Sequence, residues 1–307
     1  MKNKKTFFSE QKIKTIIINK RRDKSLLSDN MPSQFNFVKP QESSNNLFGN
    51  RTRVLESQEP KSVVFIPQTA RFFSGKTGSF KHSGDIGDLI YSLPVLRNFG
   101  GGTLYLNPHG LSTNKPDGTK SGFNSKLIEI LKPLLMEQYY IKDVVPWNDD
   151  KVDVDVDIDY FRSQGNVSNN LCHKILNAFS VPFSETEIPW ISCKPKKIAS
   201  CVVARSFRYR NKNMDYSVIL DEFKDDVVFV GLPDEHKDFQ ERFGKIAFYQ
   251  IENFLDLAQV INGSELFVGN QSSPMSIAIA LHKPFVQECF PNCSDCIFDF
   301  EHARYFK

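Results

Sequence analysis

Between residues 198 and 288 short apolar runs alternate with amphipathic stretches, and this alternation limits the possible folds more than any other feature of the chain. The apolar runs are Ile198 to Arg205, Asp226 to Gly231, Ile246 to Gln250, Glu265 to Asn270 and Pro284 to Glu288. Each is short, rich in Val, Ile or Phe, and bounded by turn residues, which reads as a buried strand. The stretches between them, Asp215 to Phe223, Asp234 to Gly244, Asn253 to Ser264 and Ser272 to Lys283, carry helical spacing. Five strands alternating with four helices through short joints imply a parallel sheet covered on both faces.

The first half repeats the theme less regularly. Ser79 to Ser83 reads as a strand, Gly84 to Asp88 as a glycine loop, Leu89 to Gly100 as a helix and Gly102 to Asn107 as the next strand. Pro94 argues for a kink in that helix because it has no N–H to donate. From Ser62 to Pro67 onward the pattern changes to short apolar runs separated by turns; Lys115 to Gly122 reads as a loop and Lys126 to Tyr140 as an amphipathic helix. Lys151 to Arg162 alternates strictly, with Val152, Val154, Val156 and Ile158 on one face and Asp153, Asp155, Asp157 and Asp159 on the other. That is the pattern of a strand with one buried and one wet face. The closing residues are read as a helix returning to the first domain. The expected architecture is two α/β domains, 61–195 and 196–307, with a cleft between their sheets.

Charge separates off the first 60 residues. They hold 12 Lys/Arg against 6 Asp/Glu, whereas the rest of the chain holds 27 against 30. Lys, Asn, Ser and Gln dominate there with little periodicity, the mark of a loosely structured basic extension. Such a segment suits peripheral contact with an anionic membrane surface. No aromatic platform or nucleic-acid motif accompanies it, so no specific nucleic acid is expected. No apolar run reaches transmembrane length and no signal-peptide pattern occurs, so a cytoplasmic location is expected. The six cysteines then read as reduced thiols. Cys289, Cys293 and Cys296, with His302 as a fourth candidate, resemble half a zinc site, but the spacing lacks paired knuckles and no metal is assigned.

Three loops at the carboxyl edges of the predicted strands carry chemistry-bearing residues, and such edges are where α/β sheets bind ligands. The first holds Asp85 and Asp88, either of which can cap the following helix or take a proton from a substrate. The second is the basic loop Arg205, Ser206, Arg208, Arg210 and Lys212, whose guanidinium forks suit phosphate. Gly231 and Glu235 form its neighbour, placed to contact a ribose or base. The third is Gly269, Asn270, Gln271, Ser272, Ser273 and Pro274, a strand-to-helix junction whose free backbone N–H groups favour an anion. Neither a dinucleotide-binding glycine fingerprint nor a P-loop is present, which disfavours nicotinamide redox chemistry and P-loop phosphoryl transfer. His82 is a fallback base. A divalent ion on the Asp153 to Asp159 run is the weaker reading of those carboxylates.

"HSGDIGDLIYSLPVLR", "VVFVGLPDEH" and "LAQVINGSELFVGNQSSPMSIAIALHKPFV", in that order, resemble the ADP-heptose:lipopolysaccharide heptosyltransferases, glycosyltransferase family 9-like enzymes of GT-B fold. The resemblance implies two Rossmann-like, doubly wound domains facing a cleft, and an inverting, metal-independent glycosyltransferase that uses no cofactor. Its partners would be a nucleotide-diphosphate sugar donor on the second domain and a glycan or lipid-linked acceptor on the first. It implies Asp88 as the catalytic base with Asp85 beside it, and Arg208 and Arg210 at the donor phosphates. Gly269 to Ser276 departs from the family's junction, with Gln271, Ser273 and Ser276 replacing an Asp, a Gly and a His. A non-catalytic nucleotide- or glycan-binding protein of the same fold is therefore the alternative.

Overall fold

A computed structural model describes residues 77–109, 122–148, 153–164, 168–291, 293 and 295–306, all within the unit Lys61–Lys307. The basic extension, the apolar run at 62–67 and most of the 115–122 loop lie outside the described residues. Two parallel sheets organise the rest, one of four strands and one of six.

The first sheet is built from β1 (Gly78–His82), β2 (Gly102–Leu106), β3 (Ile141–Pro146) and β4 (Val156–Asp157) in the order β3-β2-β1-β4, every pair parallel. Helix α1 (Ile86–Asn98) links β1 to β2, and α2 (Ser125–Met136) links β2 to β3. Asn124 starts α2 by accepting a hydrogen bond from the Leu127 N–H at 2.8 Å, which satisfies one of the orphan donors of the first turn. Gly101, at φ +76°, joins α1 to β2 where any Cβ would overlap the Tyr140 carbonyl, so only glycine fits. After β3 the chain crosses to the far side of β1. Helix α3 (Leu171–Ala178), started by Asn170, follows β4.

The second sheet takes β5 (Cys201–Ala204), β6 (Val227–Phe229), β7 (Ala247–Phe248), β8 (Leu266–Asn270), β9 (Phe285–Glu288) and β10 (Ala303–Phe306) in the order β10-β9-β8-β5-β6-β7, again all parallel. Its helices are α4 (Ser217–Phe223), α5 (Pro233–Phe243), α6 (Phe254–Gly263) and α7 (Ser273–Ala280). Pro233 opens α5 and Gly244, at φ +119°, closes it, the proline-first and glycine-last asymmetry of a helix. All nine elements expected between 198 and 288 are present, with every end within three residues of the one expected. Strands β5, β6, β8 and β9 are buried along their whole length, as the unbroken apolar runs require of a sheet covered on both faces.

The halves are joined by packing. Helix α1 lies on α7 and α2 on α6, and the buried side chains form one continuous hydrophobic cluster. Trp190 pins this junction. Its backbone N–H donates to Ala280 at 3.0 Å at the end of α7, and its indole N–H donates to the Ile90 carbonyl at 2.9 Å. Ile90 stands four residues before Pro94, which cannot donate to that carbonyl. The indole therefore takes the partner the proline leaves behind.

Two expectations are corrected. Lys151 to Arg162 is not one strand: only Val156–Asp157 pairs with β1, and Ile158–Ser163 turns into a 3-10 helix. The Asp157 carboxylate accepts from the Asp159 N–H at 3.0 Å and bends the chain at that point. The closing residues are also not a helix. Ala303–Phe306 adds β10 to the open edge of β9, and the backward reach toward α1 is made by irregular chain, with Phe298 against Tyr91 at 5.7 Å.

Candidate functional site

In each sheet the chain leaves the middle strand in one direction and later returns to its other side. The carboxyl ends on either side of that reversal splay apart and leave a crevice. In the first sheet the crevice lies between β1 and β4, and in the second between β5 and β8. The candidate residues gather at these two places.

Asp85 and Asp88 follow β1. Asp85 holds the N-cap position of α1, yet its side chain makes no capping hydrogen bond. Its carboxylate faces the other sheet, with Oδ2 3.7 Å from Nη1 of Arg208 in the loop after β5. Asp88, in the first turn of α1, accepts from Arg162 Nη2 through Oδ2 at 2.8 Å. Among the described residues this is the only hydrogen bond to Asp88, whose side chain is 23% exposed. Its Oδ1 makes no hydrogen bond to a described residue.

Arg162 arrives through the strand register. Because Lys81 pairs with Asp157, alternate residues of β1 meet alternate aspartates. Asp155 accepts from the Ser79 backbone at 2.8 Å, Asp157 from Lys81 Nζ at 2.9 Å and Asp159 from the Ser83 N–H at 3.2 Å. Asp159 Oδ1 also lies 3.5 Å from Arg162 Nε and so holds the guanidinium from behind. Three of the four carboxylates read as a wet face or a cation site, Asp155, Asp157 and Asp159, are committed to β1. Among the described residues no three His, Cys, Asp or Glu side chains converge as metal ligands, the Cys289–Cys293–Cys296 group included.

His82 lies beneath this cluster. It is fully buried, its Nδ1 accepts from the Gly84 N–H at 3.0 Å, and its Nε2 has no partner among the described residues. Burial lowers its pKa below the ordinary 6.5, against the pull of Asp159 and Asp88. A neutral imidazole that cannot reach solvent is a poor base for a substrate. It shapes the floor instead, edge-on to Phe123 with ring centroids 5.9 Å apart.

On the second sheet the predicted phosphate residues divide. Asn270, at the end of β8, accepts from the Ser206 N–H at 3.0 Å and donates to the carbonyls of Ser206 and Arg208, so it clamps the basic loop to the crevice. Arg208 is then held toward Asp85, with Tyr209 under its guanidinium at 5.0 Å. Arg205 turns the other way. Its fork closes on Glu288 at the end of β9 with two 2.8 Å bonds, and that carboxylate also accepts from Tyr216 Oη at 2.8 Å and the Asn211 N–H at 2.6 Å. Arg210 donates to Asp238 at 2.7 Å and to the Ser206 carbonyl at 2.8 Å.

Ser272 is the N-cap of α7 and makes no capping bond; its hydroxyl donates to the Asn270 carbonyl at 3.3 Å. Gln271 is committed elsewhere, accepting from the Phe290 N–H at 2.8 Å and donating to the Cys293 carbonyl at 3.1 Å. Glu235 caps α5 by accepting from the Leu232 N–H at 3.0 Å. Burial raises its pKa, although hydrogen bonds from Leu232 and Phe207 work against the rise. At the neighbouring Gly231, φ +147°, a Cβ would lie 2.9 Å from Glu235 Oε2.

The sequence matches no family profile and no curated protein. Among the solved structures that it resembles are a family 9 glycosyl transferase and two heptosyltransferases. A glycosyl transferase family 9 protein from Veillonella parvula shares 12% identity over 77% of this chain and 87% of its own, with a TM-score of 0.47. E. coli heptosyltransferase WaaC, solved with ADP-2-deoxy-2-fluoro heptose, shares 9% over 76% and 93%, with a TM-score of 0.49. E. coli ADP-heptose lps heptosyltransferase II shares 11% over 75% and 90%, at 0.41. What the chain itself shows is two parallel α/β sheets.

Proposed function

We propose that the chain is an inverting glycosyltransferase that moves a sugar from a nucleotide-diphosphate donor to a hydroxyl of a glycan or lipid-linked acceptor, within the unit Lys61–Lys307. The observation that carries this reading is the opposition of the two crevices. A carboxylate with one oxygen outside any described hydrogen bond stands on one, and an arginine beside a helix N-terminus stands on the other, with Asp85 and Arg208 3.7 Å apart between them. A reaction that removes a proton at one end and releases a diphosphate at the other needs these two groups.

In the proposed step the acceptor oxygen attacks the anomeric carbon from the face opposite the diphosphate, and its proton passes to Oδ1 of Asp88. The bond from the anomeric carbon to the diphosphate oxygen breaks, and the nucleoside diphosphate leaves with the electron pair. Arg208 and the backbone N–H groups of Ser273 and Met275 at the start of α7 meet the developing charge. Pro274 offers no N–H, which leaves that first turn two forward donors. Arg162 is a positioning residue that fixes Oδ2 so that Oδ1 faces the substrate. Because Asp155, Asp157 and Asp159 are bonded to β1, no divalent ion is assigned to them, and transfer is expected to survive EDTA.

The test is a thermal-shift screen against ADP-, GDP-, UDP- and CMP-sugars, followed by transfer assays with any donor that raises the melting temperature. Asp88→Asn is expected to abolish transfer while preserving fold and donor binding; near-normal turnover in that variant overturns the assignment. The commitment of Gln271 to Phe290 and Cys293 favours a second reading, a non-catalytic nucleotide- or glycan-binding protein, which predicts tight donor binding without turnover.

A further inference from the structure

The irregular chain after β9 is a strap between the two sheets. At its start the Phe290 N–H donates to Gln271 Oε1 at 2.8 Å, which ties it to the junction of β8 and α7. Further on, the Asp295 carbonyl accepts from the Leu171 N–H and the Ile297 carbonyl from Asn170 Nδ2, both at 2.7 Å, which ties it to the start of α3. Two cysteines stand between these anchors. Gln271 Nε2 donates to the Cys293 carbonyl at 3.1 Å and reaches its Sγ at 3.5 Å. Cys296 is hydrogen-bonded to the hydroxyl of Tyr91, three residues beyond Asp88 on α1.

The two thiols are neighbours. Only two residues separate them, the chain turns at Phe290–Cys293 and again at Cys296, and Cys293 adds to the electrostatic rise of the Cys296 pKa. A turn brings the ends of four residues within about 7 Å, the Cα separation a disulfide spans. Both are half-buried and the flanking Pro291 and Asp295 are exposed, so a small oxidant reaches this turn. The other cysteines are set apart: Cys172, Cys201 and Cys289 are buried, and Cys193 stands among Glu137, Asn262 and Lys283.

We propose that Cys293 and Cys296 are a redox-responsive dithiol, which hydrogen peroxide converts to a disulfide that releases Gln271 at the β8 edge of the second crevice. Cys293 sulfur attacks a peroxide oxygen, the O–O bond breaks, and the departing hydroxide with the thiol proton makes water. The resulting sulfenic acid is attacked by Cys296 sulfur. The S–S bond forms, the S–O bond breaks, and the hydroxyl leaves with the Cys296 proton as a second water. Two thiols lose two electrons and two protons to one peroxide. Burial pushes the Cys296 thiol up to about 12, so it stays protonated at neutral pH and leaves the first attack to Cys293. A disulfide holds its sulfurs about 2.05 Å apart, which draws Cys293 off Gln271 and Cys296 off Tyr91.

The test is peroxide treatment of the full chain, which needs no transfer activity. Free thiols are expected to fall from six to four and to return with dithiothreitol. Cleavage before Asp295 parts the two cysteines, so the product appears as a peptide pair joined by a reducible bond. Cys293→Ser, a half-buried site expected to fold as checked by circular dichroism, is expected to lose that pair. Cys296→Ser is expected to lose it too and to let dimedone trap the sulfenic acid on Cys293. Amide exchange at Phe290 is expected to quicken at least about fivefold on oxidation, because Gln271 no longer holds it. The proposal is overturned by unchanged thiols, by a bond that survives Cys293→Ser, by a tightly bound metal ion that occupies the thiols of the purified chain, or by unchanged exchange at Phe290 in the oxidised chain.

Discussion

Arg208 and Asp85 stand at the reversal points of two different sheets and face each other at 3.7 Å, with side chains 43% and 31% exposed. An ion pair open to water contributes about 0–1 kcal/mol to stability. Asp85→Asn is therefore expected to leave urea unfolding within about 1 kcal/mol of the wild type. If the pair serves a ligand instead, the same variant changes donor affinity. A large stability loss with unchanged donor binding would show the contact to be structural.

The buried pair behaves in the opposite way. Glu288 is fully buried and answers Arg205, Tyr216 and Asn211 together. Removing it strands a guanidinium in the interior, at a cost of about 3–5 kcal/mol. Glu288→Ala is expected to lower the free energy of urea unfolding by that amount. Arg205→Met/Glu288→Leu, which removes both charges, is expected to recover much of the loss, as equilibrium unfolding of the two variants will show.

Gly84 tests how Asp88 is held. A Cβ there would overlap Arg162 Nη2 and lie 2.8 Å from His82 Cε1. The buried imidazole cannot retreat, so the arginine must move away from Asp88. Gly84→Ala and Arg162→Gln are expected to lower the rate of transfer by a similar factor, roughly 10- to 100-fold for a misplaced reacting group. Unequal losses, with Arg162→Gln close to wild type, would remove Arg162 from the mechanism.

Stability should depend on pH in a defined way. Burial lowers the pKa of His82, His173 and His282 below 6.5, so these rings stay neutral in the folded chain while the unfolded chain takes up protons. Their contribution is present above about pH 6.5 and lost as pH falls through the folded values. Glu235, raised by burial, works in the reverse sense above its ordinary 4.5. At the alkaline end burial raises the Cys193 thiol to about 11 and Cys296 to about 12, from 9.0, so stability is lost again as pH climbs past 9.0 and the unfolded thiols ionise. Denaturation midpoints measured from pH 5 to 10 are expected to form a plateau between these limits, and a stability still rising at pH 5.5 on acidification would contradict it.

The second sheet was legible because each of its elements carries its own signal: a β-branched run, a glycine stop, a proline at a helix start. What escaped was decided by pairing. Ile141–Pro146 is buried only at Ile141 and Val144, a spacing of three that hides a strand. Ala303–Phe306 becomes a strand because β9 offers an open edge, which no local pattern announces. The acids and bases were found by loop position, but their assignments depend on residues far away in the chain. Arg162 reaches Asp88 across 74 residues and Glu288 reaches Arg205 across 83. Without those partners Arg205 and Arg208 looked alike, although one is walled in and the other faces the crevice.

The three aspartates 155, 157 and 159 meet Ser79, Lys81 and Ser83 at a constant separation of 76 residues. They act as an index that sets the height of Arg162 against Asp88. The chain between β2 and β4 can lengthen or shorten without disturbing that setting, since the index is read only where the strands touch. A single residue deleted between Asp155 and Asp159 would slide the row by about 3.3 Å and turn it to the opposite face. Lineages carrying this fold are therefore free to vary the intervening loops in length, while these five positions must keep their count.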